Sequence, residues 1–195
     1  MSQKIPNLKK IEKATKLLLE AIGEDVTREG LKETPHRVAK MWQEYFDMRE
    51  YNFKEFAEVD TLNNGFVMVR NIPVNSLCEH HLVPFIGTAN VAYFPKVLDD
   101  GTKSIIGISK IARVVYKYAY RPQVQERLTL QILNEIKELI KTDDIIVHVD
   151  AQHLCMSMRG ARAGQSTTTT MDYDGVFTNV DLRREFLMLI DRKGR

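Results

Sequence analysis

Two cysteines in 195 residues are too few for a disulfide framework. In a reducing compartment such a pair serves metal binding or catalysis, with unrelated buried thiols or one disulfide as the alternatives. Long apolar runs are also scarce. The one nearest the N-terminus, residues 17–19, is too short for the core of a signal peptide, so residence in the cytoplasm is the expectation. Neither sign of charge dominates: 28 Lys and Arg against 26 Asp and Glu leave a net +2. A domain built to coat nucleic acid is far more basic, so an anionic ligand must be met by a local cluster. Hydrophobic residues at 44% and charged residues at 28% are ordinary for a globular protein and exclude disorder, collagen and a membrane span.

What is present reads first as helix. Leu8, Ile11, Leu18, Ala21 and Ile22 recur at helical spacing and Gly23 follows as a stop. Thr34 and Pro35 read as N-cap and first position of a second helix carrying Val38, Met41, Trp42, Tyr45 and Phe46. From about Asn64 the period becomes two, with Phe66, Met68 and Ile72 on one face and Val67 and Val69 on the other. Residues 85–95 repeat that pattern before a turn at Asp99, Asp100 and Gly101. Ser109 is placed to cap a helix, Pro122 interrupts it, and a longer helix follows with Val124, Leu128, Ile132, Ile136 and Leu139. Residues 145–155 and 165–173 read as strands and 181–190 as a closing helix. The order predicts an α+β fold, an antiparallel sheet with two helices packed on it. A helical region over residues 1–60 precedes the α+β domain over 61–195.

Cys78 and His81 form a C-x-x-H pair in SLCEHHLVP. With Cys155 they make two thiolates and one imidazole, a three-ligand set that leaves a fourth position of zinc open for water, as catalytic sites do. In the strand 145–155, Val147, Val149, Ala151, His153 and Cys155 share one face, so an apolar stripe ends in a histidine and a cysteine. His36 and His148 read as ordinary residues, one in a helix's opening turn and the other on the strand face opposite Cys155.

The segments EGLKETPHRVAKMW, NSLCEHHLVPFIGTANVAYFP, IIGISKIARVV, RPQVQERLT and DAQHLCMSMRGARAGQSTTTT lie in that order between residues 29 and 170. Together they closely resemble GTP cyclohydrolase I. The resemblance implies the tunnelling fold (T-fold) in a toroidal homodecamer of two pentamers, with active sites at subunit boundaries. It implies conversion of GTP and water to 7,8-dihydroneopterin triphosphate and formate, opening tetrahydrofolate or another pterin synthesis, with no nucleic-acid or membrane partner. Carried to matching positions, Cys78, His81 and Cys155 become the ligands of one zinc ion per chain. His80 becomes the catalytic histidine and His153 a second one beside the metal. Lys110, Arg113 and Arg159 become triphosphate contacts, with Arg37 joining from a neighbouring subunit. Glu126 becomes the carboxylate that reads guanine, Gln125 lies beside it, and Ser109 stands at the substrate's edge.

Elementary chemistry suits those assignments. An ionised carboxylate accepts two parallel hydrogen bonds, which the guanine N1–H and 2-amino group supply and adenine does not. Lys110 and Arg113, three residues apart near a helix start, share a face suited to anions. Two rivals remain open at this stage. One is a nitrile reductase of the same fold, using a cysteine nucleophile and NADPH, against which the CEHH block and the second cysteine speak; the other is a non-catalytic zinc or nucleotide-binding protein.

Overall fold

The structure, a computed structural model, describes residues 6–47, 57–59 and 65–191. The chain falls into two units, Met1–Glu50 and Tyr51–Arg195, ten residues ahead of the boundary drawn from sequence. In the first, Asn7 caps helix α1 (Leu8–Ala21), its side-chain oxygen accepting the Lys10 N–H at 3.0 Å. Gly23 ends it at φ +87°, where Gly23 N–H bonds Glu20 O and Glu24 N–H bonds Leu19 O in a Schellman pattern. Helix α1 packs on α3 (Thr34–Asp47). Its half-buried positions are Leu8, Ile11, Glu12, Thr15 and Leu19, whereas Leu18 and Ile22, expected on the packing stripe, are exposed. His36 Nδ1 lies 2.9 Å from Glu12 Oε1 across the pair. Thr34 is not an N-cap. A short helix α2 (Glu29–Lys32) runs almost directly into α3, Arg37 N–H reaches back to Glu33 O, and the Thr34 hydroxyl donates to Gly30 O instead of accepting.

In the second unit β1 (Ala57–Val59), β4 (Lys96–Val97) and β5 (Lys103–Ile105) form a small sheet in the order β1-β5-β4, which the sequence reading missed because two of its strands are three residues long and the third only two. Asp100 holds the connecting turn by accepting from Thr102 N–H and Oγ1–H. The main sheet has the order β6-β2-β3-β7-β8, from β2 (Val67–Cys78), β3 (Pro84–Tyr93), β6 (Pro122–Gln123), β7 (Ile145–His153) and β8 (Thr168–Tyr173). All its pairings are antiparallel except the short β6, which runs parallel to the end of β2.

Helices α4 (Ile108–Ala119) and α5 (Gln125–Ile140) lie against one face. Ile111, Val114, Val115 and Ala119 of α4 and Leu128, Ile132, Ile136 and Ile140 of α5 close over Val74, Val91, Val147 and Val149 of the strands. Gly107, not Ser109, is the N-cap residue of α4, so Ser109 lies inside the first turn. A smaller cluster on the other face joins Ala92 and Ile146 to Phe177 and to Phe186 of α7 (Val180–Asp191). Ile72 does not share a face with Phe66 and Met68. Val69 pairs with Val91 but Ile72 with Ala89, so β2 carries one extra residue, and Asn71 takes φ +56° there. The bulge turns Ile72 onto the face of Val67 and Val69. Among the described residues no helix is long and apolar enough to cross a membrane.

The bulge is tied to α7 through a buried polar link. Asn71 N–H donates to Asn90 Oδ1 at 2.9 Å, so the Asn90 NH₂ faces His148 Nδ1 at 3.3 Å, and the His148 ring meets the edge of Phe186. Burial lowers the His148 pKa below the usual value, with the Asp150 charge opposing the shift. Neutral His148 therefore costs nothing at neutral pH. Below about 6.5 the unfolded chain takes up a proton that the folded one resists, so stability falls with falling pH until the folded pKa is passed. Urea midpoints compared at pH 7.5 and 5.5 should drop less in His148→Gln than in the parent; an identical drop would show that His148 does not carry this dependence.

Candidate metal centre

Strand β2 ends at Cys78, and a tight turn returns the chain into β3. Cys78 N–H bonds Val83 O at 2.9 Å, Leu82 N–H bonds Cys78 O at 2.8 Å, and Leu82 takes the left-handed φ of +54°. That turn brings both imidazoles to the thiol: Cys78 Sγ lies 3.7 Å from His80 Nδ1 and 3.8 Å from His81 Nδ1. Distance to Cys78 alone does not choose between them. Cys155 does, since the donor atoms of Cys78, His81 and Cys155 all lie within 4.8 Å of one another, the one such group among the described residues. Donors 2.0–2.3 Å from one tetrahedral ion stand roughly 3.3–3.8 Å apart, so the set needs only slight contraction to hold a metal such as zinc. Soft thiolates with one imidazole suit such an ion and suit magnesium or calcium poorly.

Cys155 arrives by a different route from the one its strand parity suggested. Strand β7 ends at His153, and Cys155 sits on the helical turn α6 (Leu154–Ser157) that follows. Burial raises the Cys155 thiol pKa, and the neighbouring Cys78 sulfur raises it further, while Arg159 draws it down. A bound dication displaces the thiol protons.

His153, at the end of β7, faces Phe85 across the β3–β7 pairing, and the rings stack at 4.6 Å and 9°. Burial lowers its pKa, and the charge of Glu126 pulls the other way, which puts that exposed carboxylate within electrostatic reach of the imidazole. His153 Nε2 lies 2.8 Å from Oε1 of Gln125, the buried first residue of α5. Cys78, His80, His81, Cys155, His153, Gln125, Glu126 and Arg159 are thus linked in one neighbourhood. Ser109, Lys110 and Arg113 occupy the first turns of α4, and Arg37 lies exposed on α3 of the other unit.

Three residues that brace the metal turn escaped the sequence reading. Glu79 N–H bonds Gln123 O at 3.0 Å, while Arg127 pairs with the Glu79 carboxylate and donates to Gln123 Oε1 at 2.8 Å. Arg127 holds the Glu79 carboxyl below its usual pKa. The i, i+4 spacing of Gln123 and Arg127 was a weak signal for their contact; nothing local pointed either of them at Glu79.

Among known proteins, a family model described as GTP cyclohydrolase I matches residues 11–191. GTP cyclohydrolase 1 of Sulfurihydrogenibium sp. (strain YO3AOP1) is 49% identical over 183 residues, covering 93% of this chain and 94% of the relative. The proteins of the same name from Aquifex aeolicus (strain VF5) and Enterococcus faecalis (strain ATCC 700802 / V583) are 46% and 44% identical, covering 93% and 92% of this chain and 95% of each relative.

Metal-replete protein should carry about one ion per chain, less as pH falls, because thiols must lose their protons to bind. Cys155→Ser should reduce the content well below one by elemental analysis, and full loading of that variant would remove Cys155 from the ligand set.

Proposed function

The chain belongs to the GTP cyclohydrolase I family and is a hydrolase of that family acting on GTP, and on that premise we propose that its metal is zinc, one ion per chain, held by Cys78, His81 and Cys155. The proposed products are 7,8-dihydroneopterin triphosphate and formate, at the entry to tetrahydrofolate or another pterin synthesis. The observation that carries this reading is the convergence of a Cys-His-Cys group, two further histidines and the Glu126 carboxylate in one neighbourhood.

Carbon 8 of guanine lies between N7 and N9 and becomes electrophilic when N7 is protonated. His80 is the proton donor to N7, since imidazole is the side chain whose chemistry lets it both give and recover a proton near neutral pH. Zinc bound here would supply Lewis acidity that makes water a nucleophile at that pH. His153 orients that water and shuttles its proton. Addition at C8 opens the five-membered ring, and hydrolysis of the resulting formamide releases formate. Rearrangement of the ribose and closure of the new ring return one water, so one is consumed overall.

Glu126 accepts the guanine N1–H and 2-amino protons, with Gln125 beside it, and so selects GTP over ATP. Lys110, Arg113 and Arg159 meet the triphosphate, Ser109 lies at the substrate's edge, and Arg37 reaches in from a neighbouring subunit. The second unit is the catalytic tunnelling-fold domain and the first an N-terminal helical region, assembled into a toroidal homodecamer of two pentamers in the cytoplasm. The exposure of His80, His81, Glu126 and Arg159 in the single chain supports a pocket completed by a second copy.

Zinc-replete protein given GTP without NADPH should release formate and develop pterin absorbance; absence of formate would refute the reading. His80→Ala should fold and keep its zinc while turnover falls by about 10²- to 10⁴-fold, and a near-normal rate would take His80 out of the mechanism. In Glu126→Gln discrimination against ATP should weaken, and unchanged selectivity would show that another group reads the base.

A further inference from the structure

The two ends of a buried carboxamide cannot exchange roles once one end is committed. At Gln125 the main chain makes that commitment: Nε2 lies 3.0 Å from Val149 O and 2.7 Å from Thr168 O, both of which only accept. Thr170 Oγ1, at 3.2 Å, is consistent with the same sense. The Thr129 hydroxyl donates to the main-chain carbonyl of Gln125 at 2.9 Å and stands 2.6 Å from Thr170 Oγ1. Its proton being used, Thr129 accepts from Thr170, which leaves Thr170 a lone pair for the Gln125 amide. Flipping the amide would set its oxygen against two main-chain carbonyl oxygens, so these contacts admit one sense of the amide only.

The oxygen end of the amide therefore faces His153, and at 2.8 Å it can only accept. Nε2 of His153 must carry the hydrogen, and in the neutral ring Nδ1 is the bare nitrogen. The stack on Phe85 fixes the plane of the ring, so both tautomer and orientation are set from outside the metal group. Gln125 is itself 1% exposed, with every polar atom of its side chain engaged by the protein. Its sequence position next to Glu126 suggested a substrate contact; its side chain is turned the other way, into the sheet.

We propose that Gln125 is a positioning residue that holds His153 in the Nε2–H tautomer, so that Nδ1 is the bare nitrogen the ring offers. This rests on the catalytic role given to His153 above. Gln125 then acts on rate through His153, as groups behind a metal site do when they fix the tautomer of an imidazole.

Magic-angle-spinning NMR of zinc-loaded protein labelled with ¹⁵N-histidine, with His153→Ala to assign the resonance, reads the tautomer directly in the parent. The expected result is a neutral His153 protonated at Nε2 alone; an Nδ1–H form or a mixture overturns the proposal without recourse to any Gln125 variant. In Gln125→Leu the tautomers should mix and kcat for GTP should fall about 10- to 100-fold, with KM changed less than about twofold and zinc retained. A raised KM at unchanged kcat overturns the positioning role in favour of a substrate contact. His153→Ala separates the two levels: a large loss there with parental kcat in Gln125→Leu overturns the role of Gln125 alone, whereas parental turnover in His153→Ala overturns the catalytic assignment on which both depend.

Discussion

The site depends on the register of β3 between β2 and β7. Leu77 lies opposite Pro84 and Phe85 opposite His153, so the C-terminal ends of β2 and β7 meet at the same edge of the sheet, and the residues that follow each end converge. A slip of one residue in either pairing would turn every side chain of that strand to the other face. The bulge between Val69 and Ile72 is part of the same constraint. By adding one residue to β2 it puts Ile72, Val74 and Cys78 on the helix-covered side, where Cys155 also packs. Without that extra residue Cys78 would share the face of Phe66 and Met68, away from its partner sulfur.

Burial gives the convergent groups their chemistry. It raises the proton affinity of the Cys155 thiol and lowers that of the His153 imidazole, in each case by disfavouring the charged form. Neutral His153 is thereby free to accept a proton. The bracing around the turn has a different character. Glu79 and Arg127 form an exposed pair of small energetic weight, whose use is geometric: with Gln123 it fixes the loop that carries His80 and His81.

Much of this was legible in sequence, for identifiable reasons. Helices α4 and α5 and the long strands carry their periodicity openly, and a C-x-x-H pair with a distant cysteine has few uses. The misreadings came where a local rule met a competing one. Thr34 has the residue type of an N-cap, but a preceding helical turn supplies Glu33 O as acceptor for Arg37 N–H and makes it an interior residue. Ser109 is likewise pre-empted by Gly107. Alternation in β2 was counted without the bulge, whose only local mark is an asparagine at positive φ. Cys155 was counted as strand although the chain turns helical after His153. The role of Gln125 could not be read from spacing at all, because its partners lie on β7 and β8.

The central claim is that the metal has two sulfur ligands and a single imidazole, with one position left for water. Zinc K-edge X-ray absorption of the loaded protein measures this directly. The account predicts two sulfur scatterers near about 2.3 Å, one imidazole and one further light atom at about 2.0–2.1 Å. Two imidazoles, which would recruit His80 and close the site, or fewer than two sulfurs, would contradict it.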